Sequence, residues 1–253
     1  MKEKRFQGIV DTVNHAGIVS FSDLCDKFSV SAVTMRRDLK ELEDLGLIKR
    51  IRGGAKALQP NESLELPYAV RTSINVEEKQ RIGKYALETI QPNNVVILDS
   101  SSTVRELAKL LVHTKFELTV ITNDVEIARL LTVNPTIELI MVGGRIRIGH
   151  YGAVGMFAES FWRQVQADKL FLGVDAINAE HGLFNHNLDE IESKRLMLRR
   201  SKYRVVLADH EKFFSNSVIQ ICPIEDVDLI VTGSELSDEA LNQFSMRNKI
   251  VRV

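Results

Sequence analysis

Along the first sixty residues the apolar positions recur at helical spacing. Phe6, Ile9, Val10 and Val13 fall at i, i+3, i+4 and i+7, and Gly17 follows where helices commonly stop, which predicts a first helix. In "SFSDLCDKF", Ser20 is an N-cap with Asp23 three residues on, and Leu24 and Phe28 share a face. A short second helix ending near Phe28 follows from that. After "SVS", Ser31 caps a third helix whose Met35, Leu39, Leu42 and Leu45 form one stripe, with Val33, Arg36, Arg37 and Lys40 on the opposite side. "LIKRIRGGAKAL" then reads as two short extended arms joined at Gly53-Gly54, a two-residue hairpin signal, with Lys49, Arg50, Arg52 and Lys56 along it.

Past residue 58 the pattern changes. Residues 59–75 contain two prolines and no sustained period, and read as a linker. From 76 to 253, "VVILD", "LTVIT", "IELIMVGG", "KLFLGVDAI", "YRVVLAD" and "VDLIVT" are short apolar runs rich in β-branched residues, as strands buried on both faces require. Helical patterns over 77–90, 103–112, 124–132 and 189–201 alternate with them, which predicts a mostly parallel α/β sheet with helices on both sides. The expected organisation is therefore a small helical domain with a wing at 1–58, a linker at 59–75 and an α/β domain at 76–253.

Composition adds little until it is divided along the chain. With 253 residues, 44% hydrophobic and 26% charged, the sequence is that of a globular protein. Its net charge of -1 hides an asymmetry: residues 1–58 hold eleven Lys or Arg against eight Asp or Glu, and the acidic excess lies in the remainder. Cys25 and Cys222 stand far apart, in no arrangement that suggests a disulfide framework or a metal site. The N-terminus lacks the apolar core of a signal peptide and no apolar run approaches a membrane span, so a cytoplasmic protein is expected.

Helix, short turn and helix with a basic outer face is the helix-turn-helix arrangement, whose second helix enters the major groove of DNA. Arginine suits that face because its planar fork holds guanine O6 and N7, or a phosphate, through two hydrogen bonds. Basic residues on a surface helix can also be merely solvated, and a winged helix can serve protein contacts. The succession of three helices, a short turn, a polarised third helix and a basic Gly-Gly wing favours DNA.

In parallel sheets small molecules bind outside the carboxyl ends of the strands, so those loops are the places to search. "DSSST", Asp99, Ser100, Ser101, Ser102 and Thr103, offers hydroxyls and a helix N-terminus to a phosphate, or simply caps a helix. Thr122, Asn123 and Asp124 stand at another strand end, where helix capping is the stronger reading and an anion contact the other. Gly143, Gly144 and Arg145 form either a tight turn or a close approach to an anion, with Arg147 a second candidate. Further on, Asp175, His186, Asp189, Glu190, Glu192 and Lys194 cluster in sequence, followed by Asp209, His210 and Lys212. Those residue types suit general acid/base chemistry, and equally a solvated helix face, since Glu190 and Lys194 stand at i, i+4.

"SVSAVTMRRDL" followed by "LIKRIRGGA" closely resembles the DeoR family of bacterial transcriptional regulators, with Met35 where isoleucine is usual and Arg52 where histidine is usual. The resemblance spans about Arg5 to Val231. It implies DNA binding through Ser20 to Leu39, with Thr34, Arg36 and Arg37 central, and so adds Ser20, Ser31 and Ala32 to the DNA-facing set of Val33, Lys40, Lys49, Arg50, Arg52, Gly53 and Gly54. It also implies a sensor domain of the sugar-phosphate isomerase type. Laid beside ribose-5-phosphate isomerase, Asp175 matches the second aspartate of an Asp-Gly-Ala-Asp motif and Glu192 a later glutamate. Leu172 replaces the first aspartate, and "FNH" at 184–186 lacks the lysine loop. A site so depleted is expected to bind a sugar phosphate without catalysis, using Asp99 to Thr103, Thr122, Asn123, Gly143, Gly144, Arg145, Asp175, Glu192, Lys194 and Lys212. The expected partners are double-stranded operator DNA, a phosphorylated sugar and further copies of the chain, as a dimer or tetramer, with no cofactor or metal and no membrane. The rival expectation is a sugar-phosphate isomerase or deaminase carrying an accessory winged helix.

Overall fold

The computed structural model of the chain describes residues 2–44, 47–57, 68–147, 149–215 and 217–253. It divides into two compact units, Met1–Ile74 and Asn75–Val253. Leu45 and residues 59–67 of the expected linker lie outside the described residues. Residues 68–74, also expected to be linker, fall within the first unit.

The first unit is built from α1 (Lys2–Ala16), β1 (Ile18–Ser20), α2 (Phe21–Phe28), α3 (Ala32–Asp44), β2 (Lys49–Ile51), β3 (Gly54–Lys56) and α4 (Tyr68–Arg71). Its core is the set read from helical spacing, with Ile9, Val10, Val13, Leu24, Met35, Leu39 and Leu42 all buried. Leu47, Ile48 and Ala55 close it from the wing side. α1 ends where Gly17, at φ +75°, donates its N–H to Val13 O. Ser20 Oγ accepts from Asp23 N at 3.1 Å and starts α2. Ser29 ends that helix in the left-handed region at φ 50°, and Val30 N bonds back to Cys25 O, which makes the turn before α3 tight.

The wing differs from expectation by one position and one strand. Ile51 pairs with Gly54, so the two turn residues are Arg52 and Gly53 rather than Gly53 and Gly54. Gly53 supplies the turn with φ +90°. Gly54 belongs to β3, and its glycine identity has a different cause: a Cβ there would meet Val19 O at 2.1 Å, because β1 pairs with β3 as a third strand.

The second unit contains α5 (Val76–Glu88), β4 (Val95–Leu98), α6 (Ser102–Leu111), β5 (Leu118–Thr122), α7 (Val125–Leu131), β6 (Ile137–Met141), β7 (Arg145–Ile146), β8 (Ala153–Val154), α8 (Met156–Trp162), β9 (Ala167–Leu172), β10 (Ala176–Asn178), β11 (Gly182–Asn185), α9 (Leu188–Arg199), β12 (Ser201–Leu207), β13 (Ile219–Cys222), β14 (Leu229–Thr232), α10 (Asp238–Leu241) and β15 (Ile250–Arg252). Seven strands form one sheet in the order β15-β14-β12-β9-β4-β5-β6, every pair parallel. Alternate residues of each strand enter two separate cores. Val96, Leu98, Val120, Phe171, Val205 and Leu207 pack under α5, α6 and α7, while Ile97, Ile121, Leu170, Leu172 and Val206 pack under α8 and α9. α5 lies close on α6 because Gly83 has no side chain; a Cβ there would stand 2.9 Å from Leu107 N.

Two small antiparallel pieces, β7-β8 and β10-β11-β13, decorate this sheet. "KLFLGVDAI" is thus not one strand: β9 stops at Leu172, and β10 belongs to a different sheet. The chain runs from β4 outward through β5 and β6, then crosses back to lay β9 on β4's other side. The crevice outside the carboxyl ends of β4 and β9 is therefore the point where strand order reverses, the favoured ligand position in such sheets.

Candidate functional site

On the first unit the α3 surface is polarised as its sequence requires. Ser31 Oγ accepts from Thr34 N at 3.2 Å and shares a hydrogen bond with Thr34 Oγ1 at 3.0 Å, fixing the helix start. Ala32, Val33, Arg36, Arg37 and Lys40 are exposed. Arg36 lies 5.6 Å from the centre of the Phe21 ring, a cation–π arrangement that orders its guanidinium. Arg37, Lys40 and Arg52 have no ion-pair or hydrogen-bond partner among the described residues. Arg50 is held instead by Glu43, 2.5 Å away, with Arg50 exposed and Glu43 partly so. Lys49, Arg50 and Arg52 are exposed on the wing, whereas Gly54 is buried in it.

Asp38 escaped the sequence reading. It is 2% exposed and takes Arg5 Nε at 2.6 Å and Arg5 Nη2 at 3.3 Å, so it fastens α3 to α1 and sets how the basic face is presented. The bidentate carboxylate raises Arg5 above the ordinary guanidinium value, its hydrogen bond outweighing desolvation.

On the second unit the strand-end loops are held by several sets of hydrogen bonds around the switch point. Asp99 Oδ2 accepts from Lys194 Nζ at 2.5 Å and from Gly173 N at 3.0 Å, joining the ends of β4 and β9 through α9. Gly173 has no room for a Cβ, which would lie 2.3 Å from Ser101 Cβ. Ser101 caps α6, accepting from Thr103 N and Val104 N. Ser100 Oγ donates to Asp124 Oδ2 at 2.8 Å, and Asp124 Oδ1 caps α7 through Glu126 N and Ile127 N. Thr122 Oγ1 donates to Leu98 O at 2.7 Å. Asn123 Nδ2 donates to Ala153 O of β8, while its buried Oδ1 has no partner among the described residues. Asp175 Oδ2 accepts from His186 N.

Lys194 Nζ, itself bonded to Gly173 O at 3.0 Å, faces Asp99, Glu190 and Asp175. Burial pulls its pKa down, but these carboxylates outweigh that and hold the ammonium above the ordinary lysine value. Burial raises Asp99 against the pull of Lys194. Three carboxylates around one ammonium keep the lysine charged.

The remaining effector-site expectations separate into two groups. Ser102 and Thr103 are buried in the first turn of α6, and Gly144 is pressed against β8, where a Cβ would stand 2.7 Å from Val154 O. Gly143 is exposed and Arg145 pairs with Asp189, both side chains open to solvent. Glu192 is 41% exposed and pairs with Arg199 at 3.0 Å and Arg163 at 3.7 Å, on the other side of α9 from Lys194. The carboxylate that does share the buried face is Glu190, bonded to Arg147 and to Asn185 Nδ2. Lys212 follows β12 in the short 3-10 turn His210–Phe213, its ammonium without a partner among the described residues.

That turn is tied to α5 by Glu78 and Lys79, which the sequence did not flag. Buried Glu78 accepts from His210 N at 2.7 Å, His210 Nδ1 at 2.8 Å and Gly233 N at 3.1 Å. Next to it, Lys79 stands 3.5 Å from Asp209 Oδ2, both buried. In the sequence Glu78 reads as an ordinary acidic residue of a helix first turn.

A winged-helix unit with a basic outer face on its third helix, joined to a parallel α/β unit whose polar loops gather at its switch point, has the architecture of a class of ligand-responsive DNA-binding regulators. Residues 5–61 match the DeoR-like helix-turn-helix domain and residues 74–234 the DeoR C-terminal sensor domain, and the chain belongs to the DeoR family. It is 31% identical to the glycerol-3-phosphate regulon repressor of Escherichia coli (strain K12), over 91% of this chain and 90% of that protein. It is 32% identical to the HTH-type transcriptional repressor GlcR of Bacillus subtilis (strain 168), over 98% and 95%. Among solved structures, ribose 5-phosphate isomerase A from Methanocaldococcus jannaschii aligns with 55% of this chain and 54% of its own at 18% identity and a TM-score of 0.40, too distant to carry an argument about the site. No helix among the described residues is long and apolar enough to cross a membrane.

Proposed function

We propose that the protein is a cytoplasmic transcriptional regulator, a repressor of a carbohydrate-metabolism operon, whose binding to operator DNA is controlled by a phosphorylated sugar. The observation that carries the first half is the outer face of α3, where Arg36, Arg37 and Lys40 stand exposed over a helix firmly anchored through Asp38. In this reading Ser20, Ser31, Ala32, Val33 and Thr34 lie at the base edges and backbone, and Lys49, Arg50, Arg52 and Gly53 bring the wing to the sugar-phosphate. One winged helix contacts few bases, so the chain acts as a homo-oligomer, a dimer or tetramer, on symmetric half-sites.

The effector half rests on the switch-point cluster. The α6 N-terminus with Ser100, Ser102 and Thr103 suits a phosphate, and Asn123 Oδ1, without a partner among the described residues, suits a sugar hydroxyl. The repressor named for the glycerol-3-phosphate regulon, a phosphorylated polyol, is consistent with that chemistry. Lys194 is consumed by Asp99 and Gly173, and buried Leu172 stands where the isomerase motif has its first aspartate, which favours a sensor over an enzyme.

The test is a fluorescence anisotropy titration at fixed salt, using the protein's own upstream DNA, unrelated DNA and a pool of sugar phosphates. Operator affinity should exceed non-specific affinity by ~10³-fold or more and shift with the pool. Arg36→Ala with Arg37→Ala should reduce it to near the non-specific level while leaving thermal unfolding unchanged. Undiminished affinity in that double variant would remove α3 as the reading helix, and turnover of ribose 5-phosphate at enzymatic rates would favour the isomerase reading.

A further inference from the structure

We infer that Val33 is a specificity-determining residue that reads the 5-methyl group of a thymine in the operator. This rests on the assignment of α3 as the reading helix and goes further, to the kind of base its first turn selects.

Val33 is 76% exposed on the second residue of α3. A single exposed apolar side chain is ordinary on a protein surface. Val33 differs by its place and its neighbours. The inward face of the helix is supplied by Met35, Leu39 and Leu42, so Val33 contributes nothing to the core. A β-branched residue also lowers helix propensity slightly, so the position gains no local stability from it.

The first turn of α3 is short of hydrogen-bonding capacity. Ala32 has none, Val33 has none, and the Thr34 hydroxyl is engaged with Ser31 Oγ at 3.0 Å. The donors begin one turn later, at Arg36 and Arg37. In helix-turn-helix proteins it is the N-terminal end of the second helix that reaches the base edges. In the major groove the thymine methyl is the only apolar group that a base edge presents, and small apolar side chains are its partners. A stiff, branched side chain with few rotamers meets it at little entropic cost.

The experiment begins with an operator enriched from a random duplex pool using the full chain. Each thymine is then replaced singly by deoxyuridine, which exchanges only the methyl for hydrogen, and binding is measured by anisotropy for the wild type and for Val33→Ala. Burial of one methyl corresponds to roughly a fourfold affinity change. We expect at least one thymine per half-site whose replacement weakens the wild type about threefold to tenfold. Val33→Ala, whose shorter side chain withdraws from the methyl, should bind the thymine operator weaker by a similar factor and lose most of its sensitivity to the same replacement. Equal penalties in both proteins at every thymine, or wild-type affinity in Val33→Ala, would overturn the inference.

The Arg36→Ala, Arg37→Ala variant separates the two levels of failure. If it loses the operator while Val33→Ala shows no uracil coupling, only the thymine reading fails. If it keeps the operator, or if no sequence enriches at all, the reading-helix assignment fails and takes the inference with it.

Discussion

Lys194→Met is the perturbation that most directly weighs the switch-point cluster. It removes the ammonium that meets Asp99 Oδ2 at 2.5 Å and leaves Asp99, Glu190 and Asp175 without it, all of them buried. Breaking a buried ion pair from one side typically costs about 3–5 kcal/mol, a large part of the ~5–15 kcal/mol that holds a domain together. Methionine roughly conserves volume, so the loss is electrostatic rather than a cavity effect. Adding Asp99→Asn removes the uncompensated charge and should recover more than half of the loss. The assay is simple because the single tryptophan, Trp162, is fully buried in the second unit, so its fluorescence follows urea unfolding of that unit alone. The pH dependence has a definite sign. Without Lys194 the folded Asp99 carboxyl rises further above its ordinary 3.8, so the penalty is absent below about 4 and grows as pH climbs toward the raised folded value. A Lys194→Met protein within 1 kcal/mol of wild type at pH 7, or a double variant less stable than the single, would refute the reasoning.

The wing glycines separate steric from conformational need. Gly54→Ala places a Cβ 2.1 Å from Val19 O, a backbone atom that cannot swing away, and should cost about 3 kcal/mol with loss of hydrogen-exchange protection across β1 and β3. Gly53→Ala meets nothing within 4 Å and pays only for φ +90°, about 1–2 kcal/mol, so equal protection in the two variants would count against this account. The Glu78 carboxylate holds His210 above its ordinary 6.5 despite burial of the ring. That stabilisation is fully present below about 6.5 and fades as pH rises through the raised folded value, so Trp162-detected stability should fall as pH climbs above 6.5. Glu78→Gln should flatten that dependence; an unchanged slope would show that the pair is not its source.

Most of the fold was legible because its elements are long enough for their periodicity to register. α1, α2 and α3 fall where the apolar spacing and the caps at Ser20 and Ser31 put them, and six strands of the main sheet coincide with the apolar runs. Short elements carry no such signal. β7, β8 and β10 have two or three residues, and seven-residue α8 buries only Ala158 and Trp162, so neither alternation nor a helical stripe has room to repeat. The wing turn was displaced by one because both glycines suit a turn locally. Only the pairing of β3 with β1, a tertiary fact, reassigns Gly54 to the strand.

The site was legible as a set of loops but not as a set of contacts. Asp99 and Lys194 do meet, with Asp175 close by, and Ser100, Thr122 and Asn123 stand at neighbouring strand ends with partners of their own, since parallel strands deliver their carboxyl ends to one edge whatever the side chains are. Choosing among the carboxylates of α9 required the helix phase. Glu190 and Lys194, four residues apart, share a face, and Glu192 lies two residues from each, about 200° around the helix. Sequence alignment to an isomerase motif favoured Glu192, whereas burial places Glu190 beside Lys194 and leaves Glu192 with Arg199 and Arg163. The i, i+4 pair that reads as a solvated surface bridge is buried because α9 lies over the sheet on that face, with Ile191, Leu196 and Met197 in the core beside it. A charge pattern reports which residues can pair on a helix; only the packing of that helix decides whether the pair meets water or the sheet.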